Sequence, residues 1–521
     1  MNKVKKILTP ISVLALSVGL FAGCQSSTQE ADPSPKESTE ENTTTESNTE
    51  TEEVKDPVSI TIMAPLKEPE TPPDLLLNEI EKMTNTELEY QFFPDENYEE
   101  KLNTSLATES FPQVVYLKNA NSFLLFKEAI RDEQFWELGP YLSEFDNLSK
   151  LKETTLNNTK VDGKLYSLYV GRPLSRAGAI YRQDWADNLG IDSPTNVDEL
   201  YEMFRAFTED DPDGNGLDDT FGLTDRNDLV YGAFKAVASW HGAPNNWGEK
   251  DGQLLPEFMF DEYIEAMDYM KKVHEAGYMN QDFPVTSKSD QRNLFYNGTA
   301  GVYIGTMSDV STINNETTKN FPDAVMDVQN YIEGPDGKFG TWSAPGYGNL
   351  VLFPKSSVKS EEELKEILGF FDQMMSAEMS TLMYWGIEGE HYEVIDGKAS
   401  AYADKKDQIK REVKAFKDSV IGEVATSGRL DGYYELPARI KAEEMIIDNN
   451  DYLIFDPAAA LDSDTYAEKG ARLQDSINDA TYNYILGEID RAGFEQIVNE
   501  WKQNGGDDII QEINDARNAL N

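Results

Sequence analysis

Residues 162–222 read DGKLYSLYVGRPLSRAGAIYRQDWADNLGIDSPTNVDELYEMFRAFTEDDPDGNGLDDTFG, and this stretch decides the fold. It opens on an apolar, β-type run of Leu165, Tyr166, Leu168, Tyr169 and Val170, then passes through a Gly/Pro/Arg joint at residues 171–176. A second apolar run follows, Ala179, Ile180 and Tyr181. Beyond it, Val197, Leu200, Phe204 and Phe207 recur at the spacing of one helix face, with Thr195 as the predicted N-cap. An acidic loop at residues 211–220 closes the segment. Two strand-like runs joined by a short irregular crossing describe a chain that steps from one lobe to another.

Length and charge agree with more than one lobe. The chain has 521 residues, well past the roughly 250–300 at which single cores stop growing. Lys and Arg total 46 against 95 Asp and Glu, a net charge of −49, which argues against nucleic acid and against a basic membrane-surface binder. The same balance lowers the expectation of an acidic polysaccharide ligand, unless a local basic pocket overrides the average. Cys24 is the single cysteine, so the chain has no internal disulfide, no second thiol and no cysteine-based zinc site.

The N-terminus reads as targeting rather than fold. Lys3, Lys5 and Lys6 precede an apolar run at residues 7–21 that is short for a membrane span. Phe21-Ala22-Gly23-Cys24 has the form of a lipobox, the site at which a bacterial lipoprotein is diacylated on Cys and cleaved before it. Residues 1–23 are therefore expected to be a signal peptide. Residues 24–56, built from Ser, Thr, Glu and Asn, are expected to be a disordered, lipid-anchored linker, having too little apolar surface to offset chain entropy. A lipid on Cys24, a stalk and a large body place the protein at the extracytoplasmic face of a cell membrane.

The body begins with VSITIMA at residues 58–64, a clean strand, and a helix carrying Leu76, Ile80 and Met83. A second strand at residues 87–93, a helix with Tyr98, Leu102 and Leu106 on one face, and a third strand at residues 114–117 follow. Such alternation is the signature of an α/β sheet with mostly parallel strands, whose ligands sit beyond the strands' carboxyl ends. The loops at residues 65–70 and 118–122 are thereby candidate ligand loops. Residues 177–300 read as a second α/β unit, WSAPGYGN at residues 342–349 as a later crossing, and most of the remainder as helix.

The order DGK-x-Y, crossing, Y-R-x-D-W, L-G-I-x-x-P-T-x-x-D-E-L, D-P-D-G-N-G resembles the extracellular solute-binding proteins of family 1, most closely their large lipoprotein branch, from residue 56 to the C-terminus. The resemblance implies a two-lobed, periplasmic-binding-protein-like α/β fold of type II, with interleaved lobes joined by hinge crossings. It assigns residues 57–173 and 301–345 to the first lobe and residues 174–300 and 346–521 to the second. It also implies a monomer that captures a sugar or oligosaccharide by lobe closure and delivers it to the permease of an ABC importer, which has a separate ATPase. The family usually has Asp where Gln113 stands.

The acidic loop suggests calcium. Asp211, Asp213 and Asn215 alternate, Gly216 takes the sixth place, and a carbonyl near Leu217 and the Asp219 carboxylate complete an oxygen-only set. Gly222 stands where an EF-hand has its bidentate Glu, so the loop is not an EF-hand, although it resembles the calcium loop of several family members. Structural Ca²⁺ is the expectation; an unoccupied polar turn is the alternative.

Sugar recognition calls for flat rings and planar polar groups. Trp240, Trp247, Trp342, Tyr347 and Trp385 are the candidate platforms, and Lys67, Arg172, Arg176, Arg182, Asn246, Glu388 and His391 the candidate polar partners. Each ring could equally be core packing, and Arg172 and Arg176 could equally form salt bridges between lobes. WGIEGEH at residues 385–391 matches a motif of the same branch, with no physical argument separating ligand contact from scaffolding.

Nothing in the sequence announces catalysis. There are three His and no HExxH, GxSxG or Walker A pattern; Ser356-x-x-Lys359 lacks the companion motifs of a serine acylase. A surface sensor or adhesin for glycan or peptide, and less so a carboxylate-based glycosidase or lyase, remain alternatives to the importer receptor.

Overall fold

Two sheets divide the structure, a computed structural model that describes residues 56–520. The signal-peptide, Cys24 and linker expectations lie outside the described residues, except for Asp56 itself. In the first sheet the strand order is Thr86–Pro94, Val58–Leu66, Val114–Leu117, Tyr347–Leu352, Leu168–Gly171. The first three strands are parallel, Val58 facing Thr86 and Ile62 facing Val114. Tyr347–Leu352 runs antiparallel to both its neighbours, Leu350 pairing with Leu117 and with Tyr169. The helices Asp74–Thr84 and Tyr98–Thr108 bury Leu76, Ile80, Tyr98 and Leu102, residues at the predicted one-face spacing.

The second sheet is ordered Met326–Gln329, Ala177–Arg182, Ala300–Thr306, Phe221–Thr224. Ala300–Thr306 is antiparallel to Ala177–Arg182 and parallel to Phe221–Thr224. All six residues of Ala177–Arg182 are buried, which explains its continuous apolar reading. The helix Val197–Glu209 starts one residue later than Thr195 would set it. Its N-cap is Asn196, whose side chain accepts from the Glu199 amide, while Glu199 in turn accepts from the Thr195 amide and hydroxyl.

The sheet pairings correct the expected chain returns. Residues 301–345 do not go back to the first sheet, because Ala300–Thr306 and Met326–Gln329 flank Ala177–Arg182 in the second. Residues 346–521 are not all second-lobe: Tyr347–Leu352 pairs with the first sheet, and the helices Glu361–Met374 and Ala377–Trp385 pack into its core through Leu364, Phe371 and Met383. The chain crosses again only at residues 428–436. From there Pro437–Asp448, Asp464–Ile485 and Arg491–Trp501 pack with the second sheet's cores through Ala442, Ile477 and Phe494. Alternating apolar runs record strands and helices; they do not record which sheet a strand joins, because both interiors are equally apolar.

Among the described residues three crossings therefore join the two halves, and two of them run side by side. Arg172 N donates to Gly346 O at 2.9 Å, Ala344 N to Leu174 O at 2.6 Å, and the Ser175 and Thr341 hydroxyls meet at 2.9 Å. Among the described residues no helix is long and apolar enough to cross a membrane.

Candidate ligand-binding cleft

The loops that leave the carboxyl ends of the first sheet's strands face those of the second sheet across the paired crossings, and the space between is a cavity of about 450 Å³. Lys67 and Lys118 with Asn119 come from the first sheet's loops, residues 172–177 and 342–349 form the joint, and Val230 to Gly232 with Gly305 and Thr306 come from the second. Both predicted ligand loops thus reach the cleft. Its size lies within the ~300–1,000 Å³ typical of small-molecule sites.

Three aromatic rings line it. Trp342 is half-buried, its amide donating to Ser239 Oγ at 3.2 Å and its short strand Thr341–Trp342 pairing with Leu453–Ile454. Tyr231 is 52% exposed and meets Trp342 edge-on, centroids 5.7 Å apart at 67°. Tyr347 opens its strand opposite Gly171. Burial pushes its phenol up to about 12, so it stays a hydrogen-bond donor at neutral pH.

Sequence reasoning passed over Tyr231. It lies beyond the carboxyl end of the Phe221–Thr224 strand, the position at which the α/β rule puts ligand residues, so the signal was there to be used. A knot of charge fixes its loop. Asp228 Oδ1 accepts from the amides of Val230 and Tyr231 at 3.1 and 2.8 Å. The buried Arg226 donates to Asp228, to Tyr231 O and to Gln291 Oε1, and Asp225 Oδ1 accepts from Ala233 N at 3.0 Å. Burial pushes the Asp225 carboxyl up to about 7.

Four cations also line the cleft, and they differ in kind. Lys67 pairs with Asp418 at 3.2 Å and Lys118 with Asp95 at 2.8 Å. Arg172 and Arg176 have no carboxylate in ion-pair contact among the described residues, so the interlobe salt bridges weighed for them are not formed. Burial first, and then the Arg172 charge, holds the Arg176 guanidinium below its usual value.

A cleft between two α/β lobes, floored by interleaved crossings and walled by rings and charge, has the form of a site for a small solute. A model of the bacterial extracellular solute-binding protein family matches residues 64–379. This chain belongs to that family. It is 40% identical over 520 residues to the polygalacturonan/rhamnogalacturonan-binding protein YtcQ of Bacillus subtilis (strain 168), with 98% of each chain covered. It is 35% identical over 467 residues to lipoprotein LipO of the same strain, covering 88% of this chain and 91% of LipO. Among solved structures the fold is similar to an HMO-binding, ABC-transporter-associated solute-binding protein from Bifidobacterium longum infantis ATCC 15697. The TM-score is 0.70 at 15% identity, over 89% of this chain and 99% of that one.

In this solute-binding protein the remaining candidate residues lie away from the cleft and have structural partners. Trp240, 2% exposed, sits in the second core, and Trp247 starts a hairpin packed against the same core. Arg182 is buried beneath Trp185 and donates to Asp184 Oδ1 at 2.8 Å. Asn246 accepts from Lys235 Nζ and donates to Asp456 at 3.0 Å each. Trp385 Nε1 donates to Leu430 O at 2.8 Å, and Glu388 is an exposed residue bridged to Tyr392. His391 is fully buried: Nδ1 accepts from Ile387 N at 2.9 Å, and Nε2 lies 3.1 Å from Glu412 Oε2. Gln113 accepts from Thr61 N at 2.9 Å and donates to Glu363 at 2.8 Å, so a carboxylate at that corner is supplied by a neighbouring helix.

The acidic loop closes on itself. Asn215 donates through its amide side chain to Asp213 at 2.9 Å and Asp219 at 3.3 Å, and its backbone amide donates to Asp211 at 3.1 Å. Leu217 enters through its amide, which donates to Asn215 Oδ1 at 2.7 Å. Among the described residues no three His, Cys, Asp or Glu side chains converge as a metal site. The oxygen donors are nonetheless of the hard type, and their crowding has a cost. Burial first, and then the Asp211 and Asp219 carboxylates, push the Asp213 carboxyl up.

Proposed function

We propose that this chain is the lipid-anchored receptor of an ABC importer for an oligosaccharide. Cys24 carries the lipid at the outer face of the membrane, residues 24–56 act as tether, and the two lobes close on the sugar and present it to a membrane permease whose ATPase is a separate chain. The observation that carries this reading is the cleft itself: Tyr231, Trp342 and Tyr347 supply rings for sugar faces, and the joint supplies planar donors. The names of two relatives, one a polygalacturonan/rhamnogalacturonan-binding protein and one a lipoprotein, point the same way. The work is binding and closure rather than bond-breaking. A thermal-shift screen against oligosaccharides tests it, since a ligand that binds only the folded state raises the melting temperature. Recovery of the sugar intact supports the receptor; recovery of shortened sugar overturns it in favour of an enzyme.

The same reading includes a structural Ca²⁺ held by Asp211, Asp213, Asn215, the Leu217 carbonyl and Asp219, the cation relieving the repulsion among the acids. Binding requires the Asn215 side chain to present its oxygen instead of its amide. Calorimetry is expected to detect Ca²⁺ binding that Asp213→Ala and Asp219→Ala each abolish; heats that persist in both variants would sink it.

A further inference from the structure

Resting on the reading of the cleft as an oligosaccharide site, we propose that Arg172 and Arg176 form a clamp for a carboxylate on the sugar, so that the ligand is a uronate-bearing oligosaccharide. Acids outnumber bases 95 to 46 in this chain, so a basic side chain has carboxylates to choose from. Lys67 and Lys118, at the edge of the same cleft, each have one. Among the described residues Arg172 and Arg176 have none in ion-pair contact, although they lie four residues apart on one crossing and each repels the other.

Two like charges are held together, and Asp309 and Glu443, which attract Arg176 without ion-pair contact, do not fully offset burial and the Arg172 charge. The backbone is shaped to keep them there. Gly346, at φ 84°, accepts from Arg172 N, and the Arg172 guanidinium lies over Gly348, where a Cβ would stand 2.7 Å from its Nε. Any side chain at Gly348 would displace the guanidinium. Trp342, on the neighbouring crossing, and Tyr231, in edge contact with it, line the same cavity. Guanidinium groups match a planar carboxylate bidentately, and the bond is charge-assisted. A uronate places such a carboxylate on the rim of a ring whose face can stack, which is the pairing of charge and aromatic surface found here. The strongly negative exterior and the cationic joint then have different roles, the first keeping the protein soluble and the second selecting the ligand.

The test is calorimetry on the full chain with trigalacturonate, its methyl ester and neutral galactotriose, on the wild type and on Arg172→Gln, Arg176→Gln and Arg176→Lys. The free acid is expected to bind at least about tenfold more tightly than the ester, and each Gln variant to lose about 10–100-fold for the acid, in line with charge-assisted hydrogen bonds. Arg176→Lys should fall between, and melting temperatures should be unchanged or raised, because a repulsion is removed. Equal affinity for acid and ester, or Gln variants that keep the wild-type affinity, overturns the clamp and leaves the oligosaccharide reading standing. Absence of binding by all three sugars overturns both.

Discussion

Two regions looked alike as sequence: the joint at residues 171–176 and the WGIEGEH loop at residues 385–391. Both carry family-like residues, glycine and charge. In the structure they are opposites. His391 is fully buried with a partner on each ring nitrogen, and Trp385 spends its N–H on Leu430. Arg172 and Arg176 border open space with no carboxylate in ion-pair contact among the described residues. A polar group whose hydrogen bonds are satisfied internally is scaffold; one left without a partner at the edge of a cavity is available to a ligand.

Exchanging the polar groups of these two regions should separate affinity from stability. The largest expected effect is on binding: the double variant Arg172→Gln/Arg176→Gln should lower affinity for an acidic oligosaccharide by about two orders of magnitude or more, read by calorimetry, with little change in melting temperature. His391→Ala should do the reverse. It removes a fully buried side chain and both its hydrogen bonds, costing about 2–4 kcal/mol of stability, while the dissociation constant stays within about twofold. An intact fold with lost binding in the His391 variant would erase the distinction.

Tyr231→Ala sharpens the cleft side of the comparison. Tyr231 is half-exposed and its loop is fixed by Asp228 and Arg226 rather than by its own ring, so the fold should be indifferent. The loss of one stacking face should weaken binding about tenfold. Equal affinity in wild type and variant would remove Tyr231 from the site.

A further effect, on stability and its pH dependence alone, concerns the scaffold under that loop. The Asp225 carboxyl is pushed up to about 7 by burial, whereas an unfolded Asp titrates near ~3.9. Between those values the folded state keeps a proton that the unfolded state releases, so this group's stabilising contribution is full below pH ~4 and is lost as pH rises through 7. Denaturant midpoints between pH 4 and 8 should therefore decline less steeply in Asp225→Asn than in the wild type. A parallel decline in both would assign the pH dependence elsewhere.

How much of this was legible in the sequence follows from the physics of each signal. The strand Val58–Leu66 and the helices after it follow from apolar periodicity, and the ligand loops from the rule that α/β sheets bind beyond their strands' carboxyl ends. Chain returns were misread because Ala300–Thr306 and Tyr347–Leu352 are both apolar runs that would suit either sheet, and pairing is a non-local property. Arg172, Arg176, Trp342 and Tyr347 could be nominated from their place at crossings. Trp240 and Trp385 could be nominated for the same Gly- and Pro-rich surroundings, yet such surroundings do not distinguish a cleft wall from a turn over a core. Tyr231 was missed because the rule of carboxyl-end loops was applied to the first sheet alone; the backbone around Tyr231 is held by Asp228 and Arg226. The average charge of −49 carries no information about a local pair such as Arg172 and Arg176, which lack a carboxylate in ion-pair contact among the described residues.

The most direct test of the account is a crystal structure of the protein with trigalacturonate. A uronate carboxylate is expected within hydrogen-bond distance of Arg172 and Arg176, roughly 2.7–2.9 Å, with a sugar face against Trp342 or Tyr231. A sugar bound anywhere outside the space between the lobes, or bound there with its carboxylates turned to solvent, would contradict it.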